Sequence, residues 1–398
     1  MTTETKNNIL AYMATLLDQH RPELIRANHA DMLTAPKDDS TIVERLVIDD
    51  KKIDSMIQSL TDTISKPDPI GVERYQYQHP QGMMIVNRTA PFGTILIIYE
   101  SRPDVTIEAA ALALKAGNRI LLKGGKEARN SNMLLVQYWH EALEKFNMDV
   151  NLIHYLDYSR AQTSELLKSS SSGIDLVVPR GGDALIEMVK SLSSAPVLVS
   201  GRGNNFIYIH DQADLSNALQ IIINSKLHKI SVCNATDKIL FDQNISGLNA
   251  FVESAYELLK KSGVEVIGDE SIKSNVNHLN IPIDNSEGIL YEEFLSKKIM
   301  FCIVPNADDA IKKINKYSGG HTAVIITKDT EVANHFMESV DAASVIHNAS
   351  SRYTDGGQFG LGAELAISTD KLHHRGPLGL DHLVTNKWYV YGDGQIRS

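Results

Sequence analysis

Residues 94–123 read TILIIYESRPDVTIEAAALALKAGNRILLK. Thr94–Tyr99 is a continuous apolar run, which predicts a strand buried on both faces. Pro103 suits the first turn of a helix running from Val105 to Ala116, and Gly117 supplies the stop. Arg119–Lys123 predicts the next strand. Apolar strands separated by helices imply a parallel sheet covered on both sides.

The same alternation extends towards the carboxyl end. A helix is expected over Ala128–Phe146, then strands at Asn151–Leu156, Ile174–Val178 and Val197–Val199. A second series begins near Asp214. It comprises helix Leu215–Leu227, a loop around Cys233, strand Lys238–Phe241, helix Leu248–Lys261 and strands Val264–Ile267 and Lys298–Val304. Helix Ala307–Tyr317, strand Thr322–Ile326, helix Glu331–Glu338 and strand Ala343–His347 follow. On the other side, residues 5–65 carry helical apolar spacing, and residues 72–90 read as a hairpin turning at Pro80-Gln81-Gly82. The segment Lys387–Arg397 looks like a strand without a sequential partner, to be paired with the early hairpin in this chain or in another subunit. The expected fold class is therefore α/β, with two parallel-sheet domains and a small β element for oligomerisation. The expected bounds are 1–209, 210–365 and 366–398.

Composition narrows the function. Of the 398 residues 43% are hydrophobic and 22% charged, the balance of a globular enzyme, and the net charge of -10 disfavours nucleic acid and anionic membrane surfaces as partners. The amino terminus lacks a signal-peptide layout, and no apolar run approaches the ~20 residues of a membrane span. Two cysteines make no disulfide scaffold and fit a reducing cytoplasm.

One of those cysteines has the setting of a nucleophile. Cys233 lies in S-V-C-N-A-T between an amphipathic helix and an apolar strand, with Lys226, His228 and Lys229 just before it to favour a thiolate. A thiolate attacks an acyl phosphate readily and later leaves readily, dividing one hard step into two. A small buried hydrophobe would look similar locally. Cys302, inside I-M-F-C-I-V, reads as core.

Four further stretches end strands or form long loops. No G-x-G-x-x-G opens a helix, since Gly201-Arg202-Gly203 lacks the third glycine. Lys123-Gly124-Gly125 and Arg180-Gly181-Gly182 close strands, where a lysine reaches ribose or phosphate and free helix amides attract a pyrophosphate. Tight turns explain either pair of glycines as well. Tyr99-Glu100-Ser101-Arg102-Pro103 sits at a strand-to-helix turn, where Ser101 and Arg102 can hold an oxyanion or carboxylate, or where the serine caps the helix. Asn348 opens a glycine-rich stretch to Glu364 that is too long for a simple turn, and His373-His374-Arg375 adds cations. No Cys, His or carboxylate cluster has metal-ligand spacing, so no metal is expected.

Together I-I-Y-E-S-R-P-D-V-T, L-K-G-G-K-E-A, V-P-R-G-G, S-V-C-N, T-D-G-G-Q-F-G-L-G-A-E, H-H-R-G-P-L-G-L and K-W-Y-V-Y-G-D-G-Q-I-R identify a family. Over nearly its whole length the chain resembles the gamma-glutamyl phosphate reductases of the aldehyde dehydrogenase superfamily. The resemblance implies NADPH-dependent reduction of L-glutamyl 5-phosphate to L-glutamate 5-semialdehyde in proline biosynthesis, with Cys233 as nucleophile. It implies that Lys123 holds the adenosine ribose, Glu293 the nicotinamide ribose, and that Ser101 stands where oxidising relatives carry an oxyanion-binding Asn. Lys126 replaces the Glu of NAD-preferring relatives, and a cation there attracts the extra phosphate of NADP. A count back from Asp211-Gln-Ala-Asp-Leu215 puts Ser200 where oxidising relatives carry the base that hydrolyses the thioester.

The resemblance also has departures. Asn205-Phe206 stands for the usual Cys-His, Lys229-Ile230 for Arg-Pro, and the amino-terminal region is shorter. The substrate carboxylate needs a cation, with Arg102, Arg352 and Arg375 as candidates and Asn348 beside them. Homo-oligomerisation is expected, and transient contact with glutamate 5-kinase is left open. Two alternatives stay open as well: an oxidising semialdehyde dehydrogenase, disfavoured by Ser200, and a silent paralogue acting as a binding subunit.

Overall fold

A computed structural model describes residues 1–35, 40–199, 201–276, 278–372 and 374–397. The chain forms two compact units. The first comprises Met1–Val199, Gly360–Ala366 and Leu378–Ser398, and the second Ser200–Phe359 and Ile367–Pro377.

The first unit contains β1 (Glu73–Gln78), β2 (Met84–Pro91), β3 (Thr94–Tyr99), β4 (Arg119–Lys123), β5 (Ile153–Tyr155) and β6 (Leu176–Arg180). Strands β5-β4-β3-β6 make an all-parallel sheet in that order. Alternate residues serve opposite faces. Ile95, Ile97, Ile120 and Leu122 pack with helices Thr3–Gln19, Asp50–Ser65, Asp104–Lys115 and Arg129–Lys145, while Leu96, Ile98, Leu121 and Val177 face a second cluster. The strand expected at Val197–Val199 is reduced to one parallel bridge, Val177 to Val197.

The second unit contains β7 (Asn205–Ile209), β8 (Thr236–Asp242), β9 (Glu265–Gly268), β10 (Lys298–Val304), β11 (Thr322–Ile326) and β12 (Ser344–His347). Their order is β12-β11-β7-β8-β10-β9, again all parallel. Residues 205–209, which a boundary at 209/210 leaves in the first domain, pair with β8 and β11 instead. The chain changes unit at 199/200, ahead of β7, and the polar stretch at 210–214 is an ordinary strand-to-helix connection within the second unit. Ile207, Ile239 and Phe241 point to one core, and Phe206, Leu240 and Cys302 to the other.

Three short carboxyl-terminal strands remain: β13 (Ala366–Ser368), β14 (Gly376–Leu378) and β15 (Val384–Tyr391). The lone strand expected at 387–397 is β15. It pairs antiparallel with β2 of its own chain, from Val384 opposite Pro91 to Tyr391 opposite Met84, completing a three-stranded sheet β1-β2-β15. Among the described residues no helix is long and apolar enough to cross a membrane.

Candidate active site

The thiol stands at the amino end of the second unit's sheet. Val232-Cys233-Asn234-Ala235 is a turn closed by the Ala235 N–H to the Val232 carbonyl at 3.0 Å, and it leads into β8. Cys233 is partly buried. Every carbonyl from Cys233 to Ala235 is held. Cys233 O and Ala235 O both accept from Asn205 Nδ2, at 2.6 and 2.7 Å, and Asn234 O accepts from Ser351 Oγ at 2.6 Å. The Asn234 side chain donates to Thr354 O at 2.8 Å, and Thr236 and Ser351 share a hydroxyl contact of 3.0 Å. Gly203, just before β7, forms the wall behind the turn. A Cβ there would lie 1.7 Å from the Cys233 carbonyl oxygen, so only glycine allows this approach. The network holds all three carbonyls of the turn, which restrains its backbone, while Asn205 Oδ1 and Asn234 Oδ1 stay buried without a partner among the described residues.

Arg352 supplies the charge. Its guanidinium is in electrostatic contact with the Cys233 thiol: burial lowers its pKa, while Asp355 and Cys233 raise it. Its Nε reaches His228 Nδ1 at 3.4 Å. Lys226, expected to act on the thiol, has its ammonium on another partner. It is fully buried in an ion pair with Asp237 at 2.9 Å, because an interior ammonium must be paired.

Glu293 is held at the same edge. Lys238 donates to Glu292 O and, at 2.6 Å, to Asn204 Oδ1, while the Phe294 N–H donates to Asp237 Oδ2 at 3.0 Å. Residues 292 and 294 are therefore clamped by two successive residues of β8, the strand that follows Cys233. Burial pushes Lys238 down to about 8, against the pull of Asp237 and Glu292.

Two other expected substrate residues are already engaged. Arg375 binds Asp341 through its carboxylate at 2.6 Å and its carbonyl at 3.1 Å. Asn348 lies at the carboxyl end of β12, the edge opposite Cys233. Its carboxamide accepts from Thr327 N at 3.0 Å and donates to Thr327 O at 2.8 Å, holding a left-handed turn with φ of 55°. The structure thus places Asn348 as a turn lock, and the segment after it returns Ser351 and Thr354 to the thiol. Cys302 sits at 0% exposure in mid-strand, and burial raises its thiol far above the usual range.

The remaining expected residues end the strands of the first unit. Lys123 closes β4 half-buried, with its ammonium on Gly124 O at 2.7 Å and its pKa lowered by burial. Lys126, three residues on, is exposed and makes no ion pair among the described residues. The β4 end therefore fits a phosphate-bearing cofactor. The β6 end does not fit as expected. Arg180 donates to Leu365 O, and the Gly182 N–H at the helix start already donates to the Glu100 carboxylate at 3.2 Å. Gly181 packs on that same carboxyl, with a Cβ there falling 2.6 Å from its carbon. Ser101 is buried at the end of β3 with φ of 27°, a strained value for a serine. Arg102 and Arg180 both oppose the rise of the Glu108 carboxyl, which burial and Asp104 push up to about 7. Ser200 and His373 lie outside the described residues. Among the described residues no group of three or more His, Cys, Asp and Glu side chains gathers as a metal site.

Sequence reasoning missed Gly203 and Asn205 as parts of the site, although both lay in a stretch it had singled out. It also missed Ser351 and Thr354, whose role depends on contacts more than 110 residues away in sequence.

The aldehyde dehydrogenase family model matches residues 1–274. A gamma-glutamyl phosphate reductase of Clostridium perfringens is 38% identical over 397 residues, covering 99% of this chain and 94% of the relative. One of Thermodesulfovibrio yellowstonii is 39% identical over 399 residues, covering 100% and 94%. The crystal structure of gamma-glutamyl phosphate reductase from Thermotoga maritima superimposes with a TM-score of 0.94 at 39% identity, covering 100% of this chain and 95% of that one. An acetylating aldehyde dehydrogenase of Geobacillus thermoglucosidasius, at 20% identity and a TM-score of 0.70 with 100% and 94% covered, shares the fold. The chain belongs to the aldehyde dehydrogenase family of oxidoreductases and, within it, to the gamma-glutamyl phosphate reductases.

Proposed function

We propose that the chain reduces L-glutamyl 5-phosphate to L-glutamate 5-semialdehyde, releasing phosphate, with NADPH as reductant, in proline biosynthesis. The observation that carries this reading is the Cys233 turn: a partly buried thiol on a backbone pinned at successive carbonyls, with Arg352 beside it. The cation favours the thiolate. The Cys233 sulfur attacks the acyl carbon, the C–O bond to phosphate breaks, and a thioester remains on the enzyme. Held by Lys123, Lys126 and Glu293, NADPH would supply the hydride for reduction of this thioester. The hemithioacetal then collapses, returning the electron pair to sulfur and releasing the aldehyde.

Arg352 is the proposed anchor for the anionic substrate, because its guanidinium interacts with the Cys233 thiol, whereas Arg375 binds Asp341. Lys123 and Lys126 are the proposed cofactor cations, and Glu293 the ribose ligand. The β1-β2-β15 sheet leaves Tyr75, Tyr77, Trp388 and Val390 exposed on one face, which supports a homo-oligomer built on this face. A working thiolate calls for a reducing compartment, the cytoplasm.

The test runs the enzyme both ways: NADPH with kinase-generated glutamyl phosphate, and semialdehyde with NADP and phosphate. Turnover that requires phosphate in the reverse direction supports the reading. Turnover without phosphate indicates a hydrolysing dehydrogenase, and absence of turnover a binding subunit; either overturns it.

A further inference from the structure

We propose that Asn205 is a positioning residue for the nucleophile, a role that rests on reading Cys233 as the attacking thiol. Asn205 starts β7 at 0% exposure, 28 residues from the thiol. Its Nδ2 spends both hydrogens on one turn, at 2.6 Å to Cys233 O and 2.7 Å to Ala235 O. Two carbonyl oxygens this close to one atom admit only the amide nitrogen, so the orientation of the carboxamide is settled by the network itself.

The consequence is directional. A peptide unit is planar and trans, so fixing the Cys233 carbonyl fixes the direction of the next N–H as well. Cys233 is thereby held from its own carbonyl side, while Asn234 is held by Thr354 and Ser351. Asn205 grips the residue that carries the sulfur together with the far end of the turn. Gly203, two residues earlier on the same lead-in, removes the bulk that would block this grip.

Asn205 Oδ1 is buried and meets no hydrogen-bond partner among the described residues. A buried acceptor left unmatched weakens folding. An asparagine is therefore not what stability alone favours here, and the benefit of its NH2 group has to appear at the turn.

Asn205→Ala removes both donors and the unmatched acceptor, and Asn205→Ser keeps one O–H donor. Both are made in the full chain. Three readouts are compared: kcat and KM in the phosphate-dependent direction, the rate of Cys233 alkylation by iodoacetamide across pH 6–9 with the site identified by mass spectrometry, and the thermal midpoint. The expected result for Asn205→Ala is a fall in kcat of roughly tenfold to a hundredfold, the scale of a small misplacement of a reacting atom. The cofactor KM should stay near the parent value, the melting temperature should fall modestly because two carbonyls lose their donor, and the pH profile of alkylation should shift, with Asn205→Ser recovering part of the loss. A kcat within threefold of the parent overturns the proposal. So does a loss of kcat that tracks a large fall in melting temperature while the alkylation profile is unchanged. Alkylation needs no substrate, so a shifted profile in a chain without phosphate-dependent turnover would uphold the grip while refuting the proposed reaction.

Discussion

Replacing Gly203 by alanine puts a methyl group where the structure has no room. The new Cβ would stand 1.7 Å from the carbonyl oxygen of Cys233, 2.4 Å from its carbon and 2.5 Å from its Cα. All three are backbone atoms of the nucleophile, and Asn205 holds the same carbonyl from beside the clash. The oxygen must retreat by about 1.3 Å merely to reach the 3.0 Å that real Cβ contacts tolerate. A misplacement of ~1 Å at a reacting group costs about a hundredfold in rate, or ~2.7 kcal/mol of barrier. Overpacking costs a further ~1–3 kcal/mol of stability, which an otherwise sound fold survives. The expected outcome is a folded protein whose phosphate-dependent kcat is lower by about two orders of magnitude, and whose Cys233 alkylates at a changed rate. Gly288→Ala is the matched control, because a Cβ there meets nothing within 4 Å. Stopped-flow kinetics at 25 °C with circular dichroism on the same samples makes the measurement. If Gly203→Ala retains parent kcat and an unaltered alkylation rate, the turn is not held as the structure has it.

Cys233→Ser should abolish phosphate-dependent turnover, whereas Cys302→Ser, altering a thiol buried in mid-strand, should leave it nearly intact; steady-state assays of both variants decide this. Lys126→Glu reverses an exposed charge at the end of β4, and at about 1 kcal/mol per unit charge it should lower kcat/KM for NADPH by roughly thirtyfold while sparing NADH; equal losses with both cofactors would remove Lys126 from the phosphate site. His321 is buried and held down at about 4 from an ordinary 6.5. The unfolded chain therefore takes up a proton between pH 6.5 and 4 that the folded chain refuses, so stability falls as pH drops through this window, by about 3 kcal/mol in all. Urea unfolding of His321→Gln should show a shallower acid slope than the parent, and parallel slopes would contradict the assignment.

Much of the fold was legible because the strong signals are local. Strands Thr94–Tyr99, Arg119–Lys123, Lys298–Val304 and Thr322–Ile326 and helices Leu248–Lys261 and Ala307–Tyr317 fall where apolar runs, helical spacing and glycine stops put them. Membership of a sheet is not local. Asn205–Ile209 falls on the amino-terminal side of the expected boundary, and its pairing with β8 and β11 assigns it to the second unit. The early hairpin was legible as the partner of β15, but whether in this chain or in another subunit was not, since its hydrogen bonds go to residues about 300 positions earlier. Lys226 shows the opposite limit. Its nearness to Cys233 along the chain suggested an effect on the thiol, but the helix turns it inward to Asp237.

The site itself divides along the same line. In an open parallel sheet, ligands are expected beyond the carboxyl ends of the strands, and Lys123, Ser101 and Arg180 were singled out on that rule. Cys233 obeys a different requirement. It precedes β8 and packs on the residues that precede β7, so it lies at the amino edge of its sheet. Adjacent parallel strands entering side by side bring two lead-in loops into direct backbone contact, with no helix between them. One loop can then carry the reacting atom and the other can hold its carbonyls. The necessary residues are a glycine for closeness and a donor for the grip, and Gly203 and Asn205 supply them two positions apart. The residues around the cysteine therefore record only part of its support, because the grip on its carbonyl is written 28 residues upstream, at the start of another strand.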